Sequence, residues 1–108
     1  MTNKLRLIYI TTKDRDEAAT IGGELVKRKL AACANIINGM ESVYWWEGKI
    51  ETDKECILIA KTTQNNVQKI TGLVKELHSY DVPCVISINL EENEGHPEYL
   101  KWLSDSVN

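Results

Sequence analysis

Between Leu30 and Glu51 the chain reads LAACANIINGMESVYWWEGKIE, and this run constrains the fold more than any other. It opens like a buried strand, with small and β-branched residues, and meets a turn signal at Asn38-Gly39. Tyr44, Trp45 and Trp46 then stand side by side, and a second turn, Glu47-Gly48-Lys49, follows at once. Burying an aromatic ring is worth roughly 1.5–3 kcal/mol, so the cluster needs a cover. A chain of 108 residues has little core to spare, and a second subunit is the natural cover.

The flanking sequence sets the order of elements. Leu5 to Thr12 is a short apolar run with β-branched residues, a strand. Asp14 can cap a helix with Glu17 in the capping-box position, and that helix is expected from Arg15 to about Lys29. Strands follow over Leu30–Ile37 and, after a break, Ser42–Trp46, with a return strand from Glu51 to Thr62. Val67, Ile70, Leu73, Val74 and Leu77 keep helical spacing over 63–77. Val82-Pro83 interrupts that pattern, since proline disfavours helix in the residue before it. Val85 to Leu90 is the last main strand, and Pro97 opens a short terminal helix.

The order β-α-β-β-α-β plus a terminal helix predicts an α+β, ferredoxin-like sandwich, one domain over residues 1–108. Right-handed crossovers place both main helices on one face of the sheet. The other face is then bare, although the strands are apolar on both sides, Cys56–Ala60 most plainly. A bare apolar face is an interaction site, so a homo-oligomer is expected.

Composition excludes several classes. The net charge is −3 with no basic run, which argues against nucleic acid. No stretch reaches the ~18–20 apolar residues of a membrane span, and the amino-terminal run lacks a signal peptide's apolar core. Cys33, Cys56 and Cys84 form no CxxC pair and read as reduced thiols of a cytoplasmic protein.

Five blocks in order then resemble the CutA family of divalent-cation tolerance proteins. They are KLAACANII; Tyr44-Trp45-Trp46-Glu47-Gly48-Lys49-Ile50-Glu51, which fits YxWxGKxE; Lys61-Thr62; His78-Ser79-Tyr80-Asp81-Val82-Pro83, which resembles HPYEVP; and Tyr99-Leu100-Lys101-Trp102-Leu103, which fits YLxWL. The resemblance covers nearly the whole chain. It implies a non-enzymatic homotrimer with sheets packed around a threefold axis, as in the PII signalling proteins. It also implies small-ligand or cation clefts between subunits, and a role in tolerance of, or response to, divalent metal such as copper. The glutamate that follows VP in the family is Cys84 here, and the proline before the tyrosine is Ser79. Copper binding in bacterial relatives has been tied to a first-strand cysteine, here Ile10, and to a histidine pair, of which only His78 remains after Leu77.

The candidate cleft residues are Tyr44, Trp46, Lys49, Glu51, Lys61, His78, Tyr80, Cys84 and Trp102. Tyr44, Trp46 and Trp102 either line a cleft or pack in an interface or core; their spacing does not separate the two. Lys49 and Glu51 share a strand face and can pair with each other or across a subunit boundary, or hold a ligand with Lys61. His78 is the candidate metal ligand. With Cys84 it offers two alternatives: a soft-cation site, or a thiol enzyme with Cys84 as nucleophile. The acidic loop Glu91–Gly95 lacks the ligand spacing of a calcium loop, and no phosphate-binding or nucleophile-elbow motif occurs.

Overall fold

The computed structural model describes residues 4–108; Met1–Asn3 of the amino-terminal run read above lie outside the described residues. Four strands and three α-helices follow in the expected order: β1 Leu5–Thr12, α1 Arg15–Lys27, β2 Cys33–Trp46, β3 Lys49–Thr63, α2 Val67–Leu77, β4 Val85–Leu90 and α3 Pro97–Asp105. A 3₁₀ turn, Gln64–Asn66, leads into α2. The sheet order is β2-β3-β1-β4, and every neighbouring pair is antiparallel. This is the ferredoxin-like α+β arrangement. Among the described residues no helix is long and apolar enough to cross a membrane.

The two faces of the sheet differ in what covers them. Ile8 and Ile10 of β1 and Cys56, Leu58 and Ala60 of β3 form one core with Ala18, Ile21 and Leu25 of α1 and Ile70, Leu73 and Val74 of α2. These strand residues alternate with Leu7, Tyr9, Thr11, Ile57 and Ile59, which therefore point to the opposite face. There α3 covers only one end, where Tyr99 meets Lys61 and Cys33. The rest is open within the chain, and Ile37, Ile86 and Ile88 project from it with half their surface in water.

The run from Leu30 to Glu51 becomes an arm. β1 leaves β3 at the Thr12–Cys56 pair, so beyond Cys56 only β2 and β3 continue, as a two-stranded ribbon that stretches the molecule to 47 Å. Its tip is the two-residue turn Glu47-Gly48, both at positive φ (48° and 78°), the geometry that matches strand twist in a tight hairpin.

Besides β2 starting at Cys33 rather than Leu30 and β3 at Lys49 rather than Glu51, three boundaries differ from the sequence reading, each for a local reason. β2 does not break at Asn38-Gly39. The register passes from Ile37–Ile57 to Met40–Glu55, so Asn38 and Gly39 together face Cys56 in a bulge, with Gly39 at φ 85°. The bulge keeps Ile37 and Met40 on the same face. α1 ends at Lys27 rather than Lys29, because Leu30 N–H returns to the Leu25 carbonyl (2.9 Å) and Lys29 N–H to that of Val26 (3.0 Å). This is a Schellman ending, with Lys29 in the left-handed region usually given to glycine. Thr63 belongs to β3, paired with Leu5, which delays α2 to Val67.

Gly22 and Gly23, both inside α1, play different parts. A Cβ on Gly22 would lie 3.0 Å from Leu58 Cδ1 and 3.1 Å from Ala34 Cβ, so the missing side chain brings α1 close to the sheet. A Cβ on Gly23 meets nothing within 4 Å. Gly22→Val is expected to cost ~1–3 kcal/mol through overpacking, and Gly23→Ala to gain about 1 kcal/mol in helix propensity. Urea unfolding of the two variants checks the opposite signs.

Candidate functional site

A groove of about 830 Å³ lies on the open face at the base of the arm. Strand alternation builds most of it. Ser42 opposes Asp53 and Tyr44 opposes Glu51, which puts these side chains on the side of the ribbon that continues into Ile57 and Ile59. Tyr9 and Thr11 of β1, Ser42, Tyr44 and Trp46 of β2, and Asp53 and Glu55 of β3 line it. Val43, which precedes Tyr44, contributes to the edge. The segment between α2 and β4 supplies the remaining wall with Tyr80, Asp81, Val82 and Cys84.

That wall is tied down by a latch. Tyr80 N–H donates to His78 Nδ1 (3.0 Å), so Nδ1 carries no proton. Nε2 therefore bears the hydrogen and donates to the Thr11 carbonyl at 2.7 Å. Ser79 N–H donates to Glu17 Oε2 (2.9 Å), and Glu17 Oε1 lies 3.7 Å from His78 Nε2. Finally, Tyr80 Oη donates to Glu55 Oε2 at 2.8 Å. The loop is thereby joined to α1, β1 and β3.

The groove is acidic. Asp53, Glu55 and Asp81 line it, and among the described residues no lysine, arginine or histidine does. Tyr44 donates its phenol proton to Asp53. This hydrogen bond, with burial and the charges of Asp53, Glu55 and Glu51 behind it, pushes the phenol up to about 12. Burial first, then the hydrogen bond to Glu55, raise the Tyr80 phenol well above its usual range. Both tyrosines are thus proton donors fixed onto carboxylates at neutral pH.

Of the residues expected from sequence, Tyr44, Trp46, Tyr80 and Cys84 come together in this groove. Lys49 and Glu51 sit across the ribbon from Trp46 and Tyr44, two residues apart on one face, and no ion pair joins them. Lys61 lies six residues along β3 from Glu55, about 20 Å at strand rise. Its Nζ donates to Tyr99 Oη (3.1 Å) and stands 5.3 Å from the Tyr99 ring centroid, while Trp102 packs on the same ring at 5.4 Å. The Tyr99 hydrogen bond outweighs burial and raises the Lys61 ammonium pKa. Lys61 and Trp102 therefore form a second cluster under α3, with Cys33 beside it.

His78, the candidate metal ligand, is turned into the fold with its side chain fully buried, and both ring nitrogens are occupied. Cys84 lines the groove; His78 does not. Among the described residues no group of three or more His, Cys, Asp or Glu is placed to hold a metal ion. The carboxylates of the groove escaped the sequence reading. Their signal was the alternation Glu51-x-Asp53-x-Glu55, which puts three acids on one face of a strand.

Glu17 makes the latch sensitive to acid. Burial alone would raise its pKa, but hydrogen bonds from Ser79 and from the Lys13 N–H, with His78 nearby, hold it below the ordinary 4.5. A folded value below the unfolded one gives stability that is complete above about pH 4.5 and is lost as pH falls through the folded value. Glu17→Gln is expected to lower stability at neutral pH and flatten its acid dependence below about pH 4.5, read from urea midpoints across pH.

Fold and groove together define a ferredoxin-like α+β domain with a long β-ribbon and an acidic, aromatic groove at its base. The CutA1 divalent ion tolerance protein family model matches residues 6–106, and the chain belongs to that family. The chain is 43% identical over 101 residues to the chloroplastic protein CutA 1 of Oryza sativa, covering 94% of this chain and 56% of that protein. It is 39% identical to the divalent-cation tolerance protein CutA of Thermus thermophilus, covering 94% of this chain and 96% of the relative. The chain thus spans about half the length of the plant relatives it matches, 54% for the Arabidopsis thaliana protein. The crystal structure of CutA1 from Oryza sativa superposes with a TM-score of 0.94 at 41% identity, covering 99% of this chain and 96% of that one. That of Thermus thermophilus gives 0.91 at 38%, covering 96% and 99%.

Proposed function

We propose that this chain is a non-enzymatic divalent-cation tolerance protein that works as a homotrimer and binds a small ligand or cation in clefts between its subunits. The observation that carries the reading is the apolar surface the single chain leaves in water. Ile37, Ile86 and Ile88 project from the open face, and Val43, Trp45 and Ile50 from the arm, with Trp45 72% exposed. Apolar surface of this extent, on the open face and along the arm, calls for a protein cover. Family membership supports other copies of the chain as that cover, and the resemblance to PII proteins supports three of them. The groove lies beside this surface, so assembly would turn it into part of a cleft. Three free thiols suit a reducing compartment such as the cytoplasm.

Native mass spectrometry of the purified protein tests the reading. Three chains of 12.3 kDa, with added small-molecule mass shed on collisional activation, are expected. A bare single chain overturns it.

A further inference from the structure

The lining of the groove bears on what kind of ligand it would take; this rests on the reading of the arm and open face as a ligand-binding region and deepens it. Asp53 and Glu55 each give one oxygen to a phenol, which fixes the carboxylate, and their other oxygens accept no hydrogen bond from the described residues. Among the described residues no basic side chain lines the groove to neutralise them. Glu55 is only 8% exposed, so its charge stands in a poorly hydrated setting. The remaining lining is largely ring and hydrocarbon, with Trp46 and Val82 beside the two tyrosines.

Two kinds of cation answer to negative charge. A hard divalent ion needs six or more oxygen ligands converging on a point. Here Asp53 and Glu55 each spend one oxygen on a phenol, and no group of three or more metal-ligating residues is formed among the described residues. An organic ammonium spreads its charge over a hydrocarbon skin, which aromatic faces attract and strip of water. The volume of about 830 Å³ is that of a small-molecule site. We propose that the groove binds a small organic ammonium ion, its charge toward Asp53 and Glu55 and its carbon skeleton against Tyr44 and Trp46.

Choline and its uncharged isostere 3,3-dimethylbutan-1-ol separate charge from shape. Titration calorimetry on the full chain is expected to show choline binding at least about tenfold tighter than the alcohol, as charge recognition over an aromatic lining requires. Trp46→Leu is expected to weaken choline roughly threefold to thirtyfold. Asp53→Asn, which retains an acceptor for Tyr44, is expected to weaken choline and leave the alcohol unchanged. Equal affinity for the two probes overturns the proposal. So does the absence of choline binding below about 10 mM in protein of wild-type mass and circular dichroism. A monomer that binds choline contradicts the assembly reading and supports this one, because Tyr44, Trp46, Asp53 and Glu55 all belong to one chain.

Discussion

Ile86→Asp is expected to yield a folded monomer. Ile86 lies opposite Tyr9 on the open face and is 53% exposed in the single chain. Within that chain an aspartate there stays in water, and its cost is strand propensity, about 1 kcal/mol or less. Between packed sheets the same carboxylate is an unpaired buried charge, repeated in every subunit, at several kcal/mol each. The two costs differ enough to separate assembly from folding. Circular dichroism should stay native while the sedimenting mass falls to one chain. Trp46→Ala follows the same logic with a smaller effect. Its ring is 52% exposed in the single chain, so any large loss of stability should grow on dilution.

His78→Ala is expected to cost about 2–4 kcal/mol at any protein concentration, since it empties a buried ring site and leaves two backbone groups unpaired. Those groups are the Thr11 carbonyl and the Tyr80 N–H. Release of Tyr80 also frees Glu55 from its only hydrogen-bond donor among the described residues, so the groove wall should loosen along with the global loss. Denaturant unfolding gives the magnitude, and faster amide exchange over residues 78–84 gives the location. A ring serving only as a surface ligand would produce neither.

The fold was legible because its signals are local and redundant. Capping by Asp14 and Glu17, the helical spacing from Val67 to Leu77 and the Glu47-Gly48 turn each specify an element independently. The need for a cover was legible too, from apolar residues on both sides of β3. The continuity of β2 was not. Asn38-Gly39 has the sequence of a turn, and only pairing with β3 decides that it becomes a bulge. The site was half legible. Tyr44, Trp46, Tyr80 and Cys84 meet in one groove, but Lys61 and Trp102 belong to the other end of the sheet. Sequence motifs carry no distance, and residues on one strand face can stand far apart along it. His78 was a candidate through its motif and its nearness in sequence to Cys84; its burial depends on β1 and α1, which are distant in sequence.

Copies of the chain are expected to cover the open face. Sedimentation equilibrium of wild type and Ile86→Asp over about 0.1–100 µM tests it most directly. Wild type should sediment as three chains of 12.3 kDa through the micromolar range, and Ile86→Asp as one. A wild-type mass of 12.3 kDa across the whole range would contradict the account.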